Sequence, residues 1–589
     1  MPVEAWVTAL VILGVLIALV KQALAPWAII LTGALALLVV GVLTPAQAFS
    51  GFSNPAPITV AALYVLAAGI EKTGALASVL HRTLGERGRY RRPLARILAP
   101  TAGASAFLNN TPIVAMLIPQ ITAWADRRGA SASKLLMPVS FAAMLGGMIT
   151  VIGTSTNLVV SGAMPELGLE QIGFFEIGKL GLPIALVGLV LLVLLSPTLL
   201  PGRRSAVDEL QQEGKRFAIE MTVQPGGPVD GKTIDAAGLR SLPGFFLASV
   251  DRGDTVIAPA RPDTVLRGGN RLRFVGSRDR IVDAHQIPGL DPAEHKHVLD
   301  LDTPSAKYFE VVIGPGSPLV GRTLRESGFR STYQAAVVAI HRSGQLVEGK
   351  LGQEPIHVAD TLIVVSDPDF GDRWRHRSDF LLIGGVDGTP PAMNVKAWVP
   401  VTVLFLVVGL AALGVLPILQ GALLGAMALV ATRVLTVQEA RRSIDVDVIV
   451  TIAAAFGLAA AMQTSGLAAA LADGLVGLFD SLGPTGVLLG LVLATLIMTE
   501  LITNNAAALL MLPIAVASAE SVGLDPRGVA IAVAIAASAS FLTPIGYQTN
   551  MMVYGPGGYR FGDYARLGWV LTLLVLVGTV TLTPVLWPS

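Results

Sequence analysis

The sequence predicts a mainly α, polytopic membrane protein. It reads as an inverted repeat of five spans plus one re-entrant hairpin each, with two small α/β domains inserted between the repeats. Three observations carry this. Long apolar blocks fill both ends of the chain, and mean hydropathy is +0.66 with only 14% charged residues, against ~25% in soluble domains. Most charges collect between residues 203 and 393. Landmarks also recur in nearly one register: Leu66–Ala77 matches Leu458–Ala469, and Val42, Leu43 and Thr44 match Val434, Leu435 and Thr436. Asn110 likewise answers Asn504, and Asn157 answers Asn550.

The first unit, residues 1–202, opens with spans near Glu4–Val20, Pro26–Leu43 and Pro57–Ile70. The first of these has no basic region before it and no small-residue cleavage site after it, so it reads as a span rather than a signal peptide. A basic surface segment follows, His81–Arg96. A hairpin is predicted over residues 98–124, where FLNNTPIVAMLIP (Phe107–Pro119) sets Asn109, Asn110 and Thr111 between two apolar arms. Neither arm is expected to cross a bilayer alone, since a span needs ~20 apolar residues. Polar backbone at mid-depth survives only where protein or a watery cavity surrounds it. A helix over residues 135–163, broken at Ile152–Asn157, and a span near Ile177–Leu200 complete the unit.

An odd number of spans places the second unit, residues 394–589, upside down. Its spans fall near Ala397–Leu416, Gly421–Leu435 and Val446–Met462. Its hairpin covers residues 487–517, with Thr503, Asn504 and Asn505 at the tip. Its broken helix covers 528–554, with the turn PIGYQTN at Pro544–Asn550, and a last span runs to Leu586. Lys21, the Arg82–Arg96 cluster, Arg127, Arg128, Lys134, Arg433, Arg441, Arg442, Arg560 and Arg566 share one side of this topology. Little beyond Lys179 and Arg527 occupies the other. The positive-inside rule makes the first side cytoplasmic. In a plasma (inner) membrane, residues 203–393 then lie in the cytoplasm and both termini outside.

The insert repeats too. Val223–Ser241 (VQPGGPVDGKTIDAAGLRS) resembles Ile313–Ser331 (IGPGSPLVGRTLRESGFRS), and apolar strands follow at Leu272–Gly276 and Leu362–Ser366. Two domains of about 85 residues, 203–300 and 301–393, fit the size of small domains. With no cysteine in the chain, disulfides and thiolate metal sites are excluded. Net charge of +1 implies no nucleic-acid partner. No glycine loop with a lysine cradles phosphate, and Gly314–Gly316 is a turn without the strand, helix and acidic residue of a dinucleotide fingerprint. No enzyme is expected. His295 and His297 sit in a charged linker without a further ligand nearby, so no transition metal is expected.

The insert pattern PGSPxxGxTxxxxGFR followed by DxLIV resembles the TrkA C-terminal (RCK C-lobe) domain of bacterial potassium-transport regulators. That implies a regulatory or dimer-supporting module with a small-molecule effector. The membrane part resembles the divalent-anion:sodium symporter family, a citrate-transporter-like branch of the ion transporter superfamily, over nearly all of its length. That family carries Ser-Asn-Thr at each hairpin tip and a proline-containing turn in each broken helix. The central asparagines match here; the flanking serines, threonines and double prolines do not. The run PIGYQTNMMVYGPGGYRFGDY, together with the insert, resembles the sulfate and sulfur-limitation branch. The resemblance implies an elevator-type homodimer that moves sodium with a small divalent anion, sulfate favoured over dicarboxylate or citrate.

A broken helix leaves free N–H groups at one half-helix start and free carbonyls at the other end. Anions suit the first, and a hard cation suits neutral carbonyl, amide and hydroxyl oxygens. With the family's arrangement, one sodium site gathers Ser105, Asn109, Asn110 and Gly153, and its twin gathers Thr499, Thr503, Asn504 and Gly546. Ser105 and Thr499 can equally bond back to a helix carbonyl. The anion falls to Asn109, Asn110, Thr111, Thr156, Asn157, Thr503, Asn504, Asn505, Thr549 and Asn550. Any one of these asparagines can instead be only a cap. No Arg, Lys or His stands at the tips or turns, so anion affinity is expected to collapse without sodium. Glu500, a carboxylate within a hairpin arm, reads by default as functional, or as an acceptor for a neighbouring helix end. Two other readings stay open: a proton-coupled or sodium/proton antiporter, and a membrane anion sensor without transport.

Overall fold

The computed structural model describes residues 2–21, 24–74, 90–128, 130–203, 218–239, 242, 245–253, 256–257, 260–276, 287–292, 307–314, 316–342, 345–347, 351–367, 369–374, 379–385 and 397–588. The membrane helices of the first unit are α1 (Val3–Val20), α2 (Pro26–Val39), α3 (Pro45–Ala48), α4 (Ser50–Ser53), α5 (Pro55–Thr73), α6 (Arg91–Ser105), α7 (Asn110–Arg127), α8 (Ser133–Gly147), α9 (Ser155–Ala163) and α10 (Gly178–Leu199). Those of the second are α11 (Trp398–Ala412), α12 (Ile418–Ala431), α13 (Val437–Arg442), α14 (Val446–Thr464), α15 (Leu467–Phe479), α16 (Gly483–Leu501), α17 (Asn504–Val522), α18 (Pro526–Ala537), α19 (Gln548–Tyr554) and α20 (Phe561–Leu586).

Matching positions carry matching local chemistry. Thr44 and Thr436 each close a capping box, with Gln47 and Glu439 at the third helical position, so each unit satisfies orphan N–H groups at the same point. Gly74 and Gly466 both take positive φ (66° and 75°), the left-handed conformation that ends a helix without a Cβ penalty. Both long helices expected to break do so: α8 stops at Gly147 and α9 starts at Ser155; α18 stops at Ala537 and α19 starts at Gln548.

The arm lengths differ from expectation. The second hairpin's arms, α16 and α17, have 19 residues each and are long and apolar enough to cross a membrane. The expected bounds, 98–124 and 487–517, left each arm short of the ~20 apolar residues of a span. Hydroxyls inside the arms bond to the carbonyl four residues back: Thr101 to Ile97 O and Thr495 to Leu491 O, both at 2.7 Å. Helix α15 was not anticipated either. The basic segment His81–Arg96 lies mostly outside the described residues, as do His295 and His297.

Backbones come close where glycine permits. A Cβ at Gly146 on α8 would stand 2.2 Å from Ala102 O on α6, which fixes the hairpin arm against the broken helix. Between the halves, Arg527 at the start of α18 pairs with Glu176 at 2.6 Å and donates to the carbonyls of Glu170 and Gln171. Arg527 holds the Glu176 carboxyl below its ordinary range.

The insert contains two five-stranded sheets. The first has β1 (Ala218–Val223), β2 (Phe245–Asp251), β3 (Val256–Ile257), β4 (Arg271–Gly276) and β5 (Leu290–Pro292), ordered β3-β2-β4-β1-β5. The second has β6 (Lys307–Val312), β7 (Ala336–Arg342), β8 (Gln345–Leu346), β9 (Thr361–Ser366) and β10 (Leu382–Gly385), ordered β10-β6-β9-β7-β8. Read from opposite ends the two orders are the same, and both carry a register shift at the same step, Leu247/Ser249 and Val337/Ala339. The strand pairs are antiparallel. The expected α/β character reduces, among the described residues, to two short helices in the second sheet's domain, Phe329–Tyr333 and Phe370–Trp374. The expected boundaries near 203, 300 and 393 adjoin or fall among residues outside the description.

Candidate substrate and cation site

The two hairpin tips and the two helix breaks meet in a crossed pattern. At the first tip, Ser105 Oγ on the last residue of α6 donates to Asn110 Oδ1 on the first residue of α7. The amide of Asn110 then donates to the Tyr547 hydroxyl at 3.1 Å, and Thr111 Oγ1 donates to Gln548 Oε1 at 3.2 Å. Both acceptors stand at the break in the second unit. At the second tip, Thr499 Oγ1 donates to Asn504 Oδ1 at 2.9 Å. Its neighbour Asn505 accepts from Ser155 and Thr156 at 3.2 and 3.1 Å, both at the break in the first unit. Each tip is therefore closed by the other unit's turn.

The breaks are held by their own asparagines. Asn157 Nδ2 donates to Gly147 O and Thr150 O, both at 2.9 Å. Asn550 Nδ2 donates to Ser540 O at 2.7 Å and Thr543 O at 3.2 Å. The two spacings along the chain are the same, ten and seven residues. Both amide N–H₂ groups are spent on carbonyls that the break leaves without helical partners. Ser140 Oγ lies 2.8 Å from both Thr549 Oγ1 and Asn550 Oδ1, so Thr549 is engaged with a structural partner. Asn157 Oδ1 has none.

Oxygen atoms converge on both tips. A Cβ at Gly147 would lie 3.1 Å from Asn110 Oδ1 and 3.2 Å from Gly153 O, and one at Gly153 would lie 2.6 Å from Gly147 O. Ser105, Asn110 and Gly153 thus stand together around a space that only glycine leaves open. Asn109 does not join them: it is hydrogen-bonded to Tyr64 on α5 and lines a narrow cavity with Phe107 and Ser155. On the second side Thr499 and Asn504 are joined by Ser540, whose hydroxyl donates to Asn504 Oδ1 at 2.9 Å. Gly546 lies against both Glu500 and Ser540: its Cβ would be 2.9 Å from Glu500 Oε2 and 3.0 Å from Ser540 Cβ.

Among the described residues at the tips and breaks, Thr503 Oγ1, Asn504 Nδ2 and Asn157 Oδ1 are buried without a hydrogen-bond partner. A buried polar group without a partner costs ~1–3 kcal/mol, and three beside converging oxygens fit the approach of a small polar guest. The donor set is hydroxyl, amide and main-chain carbonyl, which suits a hard monovalent cation. Glu500 supplies the nearby carboxylate: Oε1 accepts Leu542 N–H at 2.7 Å and Oε2 accepts the Thr543 hydroxyl at 2.8 Å. Thr543 Oγ1 in turn accepts Gly546 N–H at 3.0 Å. Glu500 thus accepts from two residues inside the second break, Leu542 and Thr543.

Sequence reasoning missed Tyr547, Gln548, Ser155, Ser140, Ser540 and Tyr64. Ser155 and Tyr547–Gln548 lie inside the quoted turns, and the equivalence of Thr154 and Tyr547 in register was the available signal; these two side chains are themselves hydrogen-bonded. Ser140 and Tyr64 sit in apolar runs where nothing in the pattern singles them out.

A profile of the citrate transporter family matches residues 10–536. The chain belongs to the citrate transporter family. This transporter is accordingly a multi-pass membrane carrier of small anions and not an enzyme. It is 35% identical to an uncharacterized transporter of Synechocystis sp., covering 94% of this chain and 92% of that one. It is also 35% identical to a protein of Chlamydomonas reinhardtii named for a role in the response to sulfur deprivation, covering 92% and 95%. Sodium/sulfate cotransporter 2 of the same alga is 26% identical over 92% of this chain and 85% of its own. The solved Alcanivorax borkumensis YdaH transporter covers 94% of this chain and 90% of its own at 13% identity and a TM-score of 0.42, a likeness too distant to carry an argument.

Proposed function

We propose that the protein is a sodium-coupled symporter of a small divalent anion, with sulfate preferred to di- or tricarboxylates. One observation carries the reading: two tips, each closed by the other unit's turn, enclose neutral oxygens and amides with no cationic side chain in the set. An anion held there needs positive charge from elsewhere. Half-helix starts at Asn110, Asn504, Ser155 and Gln548 offer partial charge; full charge comes from sodium held by Ser105, Asn110 and Gly153, and by Thr499 and Asn504. The names of the algal sodium/sulfate cotransporters support the choice of ion and anion.

In this reading the two units are inverted with respect to each other, as an odd span count and the charge bias of the loops suggest. The hairpins and broken helices slide as one body against the outer spans, α5 and α14 among them, in a homodimer seated in lipid. The crossed hydrogen bonds hold the sliding body together while cation and anion travel with it. Both sheets face the cytoplasm as TrkA C-terminal-like regulatory domains taking a small effector, and both termini lie outside.

Purified protein in liposomes tests this. Radiolabelled sulfate, succinate and citrate are offered with and without an inward sodium gradient. Saturable sulfate uptake that requires sodium is expected. Uptake driven by a proton gradient and indifferent to sodium overturns sodium coupling, and tight anion binding with no flux under any gradient overturns transport.

A further inference from the structure

The second sheet rests on the membrane body, beside α7 and at the end of α19 away from the site. Thr361, the first residue of β9, packs on Gly555, which follows the last residue of α19. A Cβ at Gly555 would stand 1.6 Å from Thr361 Oγ1 and 2.8 Å from its Cβ. Val312 and Ala359 are buried in the same apolar cluster as the membrane helices, with Val358 and Leu381 packed against it. Strand β10 runs beside α7. On a third side, Gly316 faces the Asp447 carboxylate at the start of α14, 3.8 Å from where its Cβ would be.

Helices α7 and α19 begin at Asn110 and Gln548, the residues that close the first tip. A helix transmits displacement along its length as a stiff rod, ~1.5 Å per residue. An object packed on α7 and on the far end of α19 therefore constrains their near ends. The same object touches α14, which in the transport reading stays still. We propose that the second sheet is a brake: by bridging α7 and α19 to α14, it holds the sliding body in place, and it must leave Gly555 for each transport stroke. This rests on the transport reading above. The sheet does so by shape, since contact at Gly555 exists only because that position lacks a side chain.

The test uses the full chain in liposomes. Gly555→Ala forces Thr361 away and is expected to raise maximal sulfate uptake about fivefold with KM unchanged, at the low end of couplings between distant sites. Adding Thr361→Gly to that variant removes both obstructing atoms and is expected to return uptake to the wild-type rate. The chain has no cysteine of its own, so Gly316→Cys with Asp447→Cys, joined by a short bismaleimide, is expected to slow uptake. Uptake by Gly555→Ala at or below the wild-type rate overturns the brake, as does failure of Thr361→Gly to reverse a rise. Wild-type protein without flux overturns the transport reading instead, and absence of cross-linking then overturns the docking as well.

Discussion

Asn110, the first residue of α7, donates its amide to the Tyr547 hydroxyl at 3.1 Å across 437 residues of chain. Asn110 is buried, and its other amide atom accepts from Ser105. The side chain is therefore a hinge pin between the first tip and the second break.

Tyr547→Phe removes the acceptor and keeps the ring. Asn110 Nδ2 is then a buried donor without a partner, at ~1–3 kcal/mol. Apparent sulfate affinity is expected to fall by about fivefold or more, since ~1 kcal/mol is roughly fivefold in an equilibrium constant. Equal KM values for the two proteins would show that the pair does not shape the site.

Glu500 organises the second break through Leu542 N–H and Thr543 Oγ1. Glu500→Gln keeps one acceptor, and the Thr543 hydroxyl can turn to suit the amide. Glu500→Ala leaves two donors stranded, at ~1–3 kcal/mol each. If geometry is its role, Ala loses much more sodium affinity and melting temperature than Gln. If charge is its role, the two lose sodium affinity alike. Sodium titration of thermal unfolding in detergent separates them.

His341 in β7 is buried, and burial lowers its pKa to about 4 from an ordinary 6.5. Its neutral form is the one the sheet accepts. The unfolded chain binds the proton from pH 6.5 downwards and the folded chain only near 4, so stability is complete above pH 6.5 and drains as pH falls towards 4. The loss approaches ~3 kcal/mol. Hydrogen exchange on β7 and β9, corrected for intrinsic rate, is expected to show weaker protection at pH 5 than at pH 7. His341→Phe is expected to abolish that difference.

Much of this architecture was legible because it is written twice. Repeated landmarks such as Asn110 and Asn504 fall at the starts of α7 and α17, and Gly74 and Gly466 both end helices with positive φ. Partners were harder to read. Asn505 meets Ser155 and Thr156, and Thr111 meets Gln548, across hundreds of residues, and no periodicity carries that information. Asn109 entered the sodium set through the family's arrangement; here it lines a cavity with Phe107 and Ser155, a neighbourhood that no motif carries. Arm lengths differed because the second hairpin's helices run past its expected bounds, from Gly483 to Leu501 and from Asn504 to Val522.

The crossed closure has a bearing on how the molecule is put together. Neither half owns a finished binding chamber; each supplies the door to the other's room. None of the crossed hydrogen bonds at the tips comes from the polypeptide joining them, so the two sheets touch the helices without supplying a side chain to that closure. A strand cut between the sheets, in residues 293–306, would yield fragments that are useless singly and competent when made together.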